Sequence, residues 1–155
     1  MRTVAFLAAL MLCAAPAMAQ EMSDTNMEIL KQKLKADKKL LVAGNMDLSD
    51  AEAKKFWPLY DSYQMDLNQV NQQLGQTIKE YAEAFNKGSI PDNKAKKLLN
   101  DVLSMEEQEN KLKRTYAQKL EKVLPYNKVA RYMQIENKIR AVIKMELAQQ
   151  IPLVY

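Results

Sequence analysis

Two carboxylate pairs on one stretch, Glu106 with Glu107 and Glu106 with Glu109, are the groups in this chain whose spacing could serve general acid–base chemistry. Such work needs one carboxyl held protonated and a partner ionised, within reach of the same proton. Lys111 and Lys113 give the same acids a simpler role, as solvated ion pairs on a lysine-rich helix. No second group that would complete a catalytic site accompanies them. Histidine is absent, and the one cysteine, Cys13, lies close to the start of the chain. That removes most hydrolase triads, most zinc sites and the thiol nucleophiles. The three glycines are isolated, so there is no phosphate-cradling loop. Methionine thioethers can bind Cu(I). Beyond residue 19, however, no two methionines stand three or four apart, so such a site would have to form between helices. Lysines and acids are interleaved, which argues against a nucleic-acid surface. No cofactor is indicated, and an enzyme is the least expected class.

The first nineteen residues read as a removable export signal. Arg2 supplies the positive start, Val4 to Leu12 the apolar run, and Ala17-Met18-Ala19 a small-x-small cleavage site, with Gln20 beginning the mature chain. The apolar run is too short for a membrane anchor, which takes about 20 residues. Leu12 before Cys13 argues against a lipid-modified cysteine. The expected location is the periplasm, with no integral membrane anchor. Removing the signal lowers the net charge from +4 by one, to +3. That mild excess permits attraction to acidic surfaces.

Strand signals are nearly absent, and three starts of one type divide the rest into helices: Thr25 to Glu28, Ser49 to Glu52, and Ser89 to Asp92. In each, a hydroxyl is followed three positions later by a carboxylate, so the two can cap the first turn reciprocally. A first helix is expected over 26–43, stopped by Gly44. Its apolar stripe is thin and its lysines dense, giving either a solvated face or a basic arm. A second helix is expected over 49–86, ended by Gly88, with Pro58 making Ser49–Trp57 a separate turn or a kinked section. Tyr60, Tyr63, Leu67, Val70, Leu74, Thr77 and Tyr81 alternate in steps of three and four, the mark of lengthwise helix packing. A third helix is expected over 91–124, with the stripe Leu98, Val102, Met105, Leu112, Tyr116 and Val123. Glu109 interrupts that stripe, as a wet or dimer-facing position or as an outward-pointing residue. Pro125 breaks the chain, and a fourth helix over 126–150 carries Val129, Tyr132, Ile135, Ile139, Val142, Ile143 and Leu147. The fold class expected is all-α, one domain over 20–155, an elongated helical hairpin of about four helices.

Two short runs carry a resemblance. Leu48-Ser49-Asp50-Ala51-Glu52 resembles the Leu-Thr-x-x-Gln motif of the Spy/CpxP-like periplasmic proteins, and Leu124-Pro125-Tyr126-Asn127-Lys128 resembles a degraded second copy. Ser49 and Glu52 replace the family's threonine and glutamine while keeping their capping chemistry. Pro125 and Lys128 replace them in the second copy, where that capping bond is lost. The resemblance implies a hooked helical hairpin that dimerises into a curved cradle. It implies an ATP-independent chaperone, an inhibitor of an envelope-stress sensor, or a metal sensor.

The expected function is therefore an exported, ATP-independent module that holds unfolded or partly folded envelope proteins, as a homodimer. The alternatives are a regulatory partner of a membrane stress sensor, a metal-stress sensor, or a scaffold. The family motif comprises Leu48, Ser49, Glu52, Leu124, Pro125 and Lys128. Candidate client contacts are the aromatic cluster Phe56, Trp57, Tyr60 and Tyr63, with Lys31, Lys35, Lys38 and Lys39 as steering charges. The same rings are also the best candidates for the core. The closing Ile151 to Tyr155 segment is expected to pack on its own hairpin, with capture by another protein as the alternative.

Overall fold

The computed structural model describes residues 36–154. The export signal, the Thr25 start, Lys31, Lys35 and Tyr155 lie outside the described residues. The chain divides into two units, residues 1–41 and 42–155. The described residues of the first, 36–41, are helical.

The second unit is all-α. It comprises helical residues 42–46 (α1), then α2 (Asp50–Phe85), α3 (Asp92–Leu120) and α4 (Tyr126–Gln150), with no strand among the described residues. Helical structure runs through Gly44 to Met46 rather than stopping at the glycine. Val42 and Met46, one turn apart, are both fully buried, and that burial outweighs the weak helix preference of one glycine. Asp47 then turns the chain with φ 46°. None of the described helices is long and apolar enough to cross a membrane.

α2 starts as its sequence dictates. Glu52 N–H donates to Ser49 Oγ at 3.4 Å, and Ser49 N–H donates to Glu52 Oε2 at 2.8 Å, a complete capping box. The helix then continues for 36 residues, about 54 Å, straight through Pro58. One missing backbone bond is tolerated there because Phe56, Tyr60 and Tyr63, on both sides of the proline, all bury on the same face. Gly88, at φ 94°, makes the turn that returns the chain.

Ser89 does not cap α3. The N-cap is Pro91, and α4 begins identically at Pro125. Both starts share the sequence Pro-x-Asn-Lys. In each, the lysine backbone N–H donates to the preceding asparagine Oδ1 at 2.8 Å, which occupies a donor that every first helical turn leaves free. Each lysine also reaches back to α2. Lys94 Nζ lies 2.5 Å from Glu80, and Lys128 Nζ lies 2.7 Å from Glu52. Lys94 and Lys97 together hold the Glu80 carboxyl down to about 2.

α2 and α3 pair closely along their length, whereas no Cα of α4 lies within 8 Å of one in α2. Rings fill that gap. Tyr132 of α4 meets Phe56 edge-on at 5.1 Å, Tyr60 at 6.0 Å and Tyr63 at 6.1 Å. Val42, Met46, Leu67, Tyr116, Leu120, Leu124 and Val129 complete this core. The α4 stripe differs from its expected membership. Val142 is 63% exposed, and Glu136 is buried instead.

Candidate binding groove

A polar layer borders the ring core. Glu109 of α3 is not the outward-pointing residue that its charge suggests. It is buried, and Arg140 of α4 reaches it through Nε at 2.9 Å and Nη2 at 2.6 Å, both to Oε2. Arg140 Nη1 also donates to Asn71 Oδ1 of α2 at 2.7 Å, so one guanidinium joins three helices. Lys113, one turn along α3, holds the second oxygen of Glu109 at 2.7 Å. Burial pushes the Glu109 carboxyl up, but the bonds and charges of Lys113 and Arg140 outweigh it and hold the group below its ordinary value. Beside this pair, Gln64 Nε2 donates to Glu136 Oε1 at 2.9 Å and to Tyr132 Oη at 3.3 Å. Tyr116 Oη donates to Asp66 at 2.7 Å.

These carboxylates act on the neighbouring phenols. Burial first, then the Glu136 charge, pushes Tyr60, Tyr63 and Tyr132 well above their ordinary range, so all three stay neutral. Burial and Asp66 push Tyr116 up to about 12. Tyr63 Oη is buried and, among the described residues, has no hydrogen-bond partner. Tyr63→Phe removes that unsatisfied oxygen and keeps the ring, so it is expected to raise stability by about 1 kcal/mol in urea unfolding.

On the other side of the polar layer the helices enclose an open groove of about 460 Å³. α2 contributes Leu74 and Ile78, α3 contributes Leu98, Leu99 and Val102, and α4 contributes Leu147. The same stripe that fills the core at the ring end does not close here, and Leu99 is left 59% exposed. Arg140 and Lys144 stand on the α4 side. Arg140 is already held by Glu109 and Asn71. Lys144 pairs with Glu106 at 3.2 Å through two half-exposed side chains, a contact easily exchanged with solvent or ligand. Past α4, Ile151 and Val154 form another part of the wall, and Tyr81 Oη donates to the Pro152 carbonyl at 2.7 Å.

The expected site residues are distributed unevenly around this arrangement. The two motif copies meet at the opposite end of the unit from the groove. Lys128 Nζ bonds both Glu52 Oε2 and the Asp47 carbonyl, each at 2.7 Å, while Leu124 is buried and Leu48 packs on the core. Glu52 lies below its ordinary value, chiefly through Lys128 and then through the Ser49 backbone. The charged pair thus joins the positions where the resemblance places two glutamines. Pro125 starts α4 in place of a side-chain cap. Phe56, Tyr60 and Tyr63 are core residues, which corrects their placement as surface contacts, and the physical reason is their mutual packing against Tyr132. Trp57 is half-buried against the same core. Lys39 is exposed and Lys38 half-buried, both in the first unit. Among the described residues no cluster of three or more acids could hold a metal ion.

The groove itself was not anticipated from the sequence. Its signal was the run Leu98-Leu99 with Val102 and Leu103, which offers more apolar side chains than one helix–helix seam can bury. Comparison with protein-family models, with curated proteins and with solved structures gives no match to this chain.

Proposed function

We propose that this protein is an exported, ATP-independent binding module that holds apolar segments of unfolded or partly folded envelope proteins. In this reading it is a divergent Spy/CpxP-like chaperone acting in the periplasm as a homodimer. The observation that carries the reading is the groove: an apolar trough between three helices, open to solvent, with an exchangeable cation at its rim. Exposed apolar surface of this kind is costly to keep unless it serves association. The mechanism needs no cofactor. Lysines draw acidic stretches of the client in by long-range attraction. Leu74, Ile78, Leu99 and Val102 then bury apolar side chains. Low affinity and client folding together bring release.

The test is suppression of aggregation of an unrelated reduced protein by the purified chain without ATP, with oligomeric state measured on the same sample. The double variant Leu99→Asp/Val102→Asp places two charges on exposed groove positions. It is expected to weaken suppression about tenfold or more, since each lost apolar contact is worth about 1.5 kcal/mol. Its circular dichroism should stay that of the wild type. Full suppression by this variant would remove the groove from the mechanism. No suppression by the well-folded wild type would instead favour a single regulatory partner in the envelope.

A further inference from the structure

The segment after α4 forms part of the wall of the groove that the proposed function assigns to clients. Its path follows from its sequence. A residue before proline is driven out of the helical region, and Ile151, preceding Pro152, is extended at φ −91° and ψ 113°. The chain therefore leaves α4 extended at Ile151 and stays against the groove. Ile151 and Val154 line the cavity, and the Tyr81 hydroxyl of α2 ties down the Pro152 carbonyl at 2.7 Å. The hold is shallow. Leu153 is 85% exposed and Val154 57% exposed, so two of the segment's apolar side chains gain little from lying there.

We infer that residues 151–154 are a detachable strap, and that the groove takes extended apolar polypeptide segments of the same kind as this one, branched side chains around a proline. The inference rests on the client-holding reading and specifies its ligand and its regulation. An extended segment with its apolar side chains turned inward would bury more surface than the strap does, and its hold would not depend on the Tyr81 hydroxyl. The strap thus covers the groove when no client is present and yields to one that binds better. A strap closed about nine-tenths of the time would weaken client binding about tenfold, because apparent affinity scales with the fraction of open molecules.

The probe is a synthetic peptide with the sequence of residues 149–154, Gln-Gln-Ile-Pro-Leu-Val, labelled with fluorescein at its amino end and followed by anisotropy. Two variants weaken the strap from opposite sides. Tyr81→Phe removes one oxygen from α2, and Ile151→Ser/Val154→Ser removes the apolar contacts of the segment. Both are expected to bind the peptide about threefold to tenfold more tightly than the wild type, with unchanged helical circular dichroism. Binding equal to or weaker than wild type in both variants overturns the strap, as does an absence of peptide binding to any of the three proteins. Aggregation suppression measured on the same samples separates the two readings. Suppression by the wild type without any peptide preference leaves client holding intact and removes the strap. Absence of suppression in all three removes the client-holding reading.

Discussion

Arg140→Leu is expected to lower the unfolding free energy by about 3 kcal/mol, a large part of the roughly 5–15 kcal/mol of a typical domain. Glu109 is buried, and its Oε2 takes both of the charged donors that Arg140 directs at it. Leucine fills similar apolar volume but strands the carboxylate on that side and leaves Asn71 Oδ1 without its donor. Lys113 still holds the other oxygen, which keeps the loss toward the lower end for broken buried pairs. Denaturant unfolding of Arg140→Leu and of Arg140→Leu/Glu109→Leu separates pairing from packing. The double variant should be more stable than the single one, because it removes the stranded carboxylate. The pH dependence has a definite sign. The folded-state value of Glu109 lies below its ordinary 4.5, so its contribution is complete above that value. It is lost as pH falls through the folded value, where the unfolded chain binds the proton more readily. Arg140→Leu should show a shallower acid dependence in that window. An unchanged acid profile in the variant would mean that this pair does not govern acid sensitivity.

Tyr132→Ala is expected to cost about 3–5 kcal/mol, the loss typical of removing a buried ring. No Cα of α4 lies within 8 Å of one in α2, and beside the polar bonds from Gln64 and Arg140 it is the ring of Tyr132 that packs between the two helices, against Phe56, Tyr60 and Tyr63. Alanine leaves a cavity that the helices could close only by moving together. Tyr132→Phe keeps the ring and loses a 3.3 Å bond from Gln64, so it should cost about 1 kcal/mol or less. Thermal and urea unfolding of the pair measure the difference. Similar losses from both substitutions would shift the weight from the ring to its hydroxyl.

Much of the helical frame was legible in the chain. The Ser49 box and the Tyr60-to-Thr77 stripe predict α2 and its buried face, because capping and helical period are local properties. Pro125 and Pro152 fix the ends of α4 for the same reason. The features that are not legible in this way are non-local. A carboxylate on an apolar stripe looks like an exposed interruption until its partner is known, and the partner of Glu109 is Arg140, 31 positions away. Pro58 reads as a break because the rings that hold the helix together across it owe their burial to Tyr132 on another element. The groove was least legible of all. Leu74, Ile78 and Leu99 have the same character as residues that fill a core, and only the spacing of three helices leaves them open. The start of α3 at Pro91 is legible in the same way, whereas the hydroxyl–carboxylate spacing at Ser89 forms no cap.

The polar layer of Glu109, Arg140, Asn71 and Gln64 acts as a bulkhead. On one side is a ring core whose loss unfolds the protein; on the other is a trough whose walls are held by fewer buried contacts. Gly75 lies on the trough side, with nothing within 4 Å of where a side chain would begin, and it loosens that half of α2 further. The α2 rod, continuous in its backbone, thus has one end packed among buried rings and one end facing an open trough. A side chain exchanged at the open end therefore leaves the packing of the ring end in place.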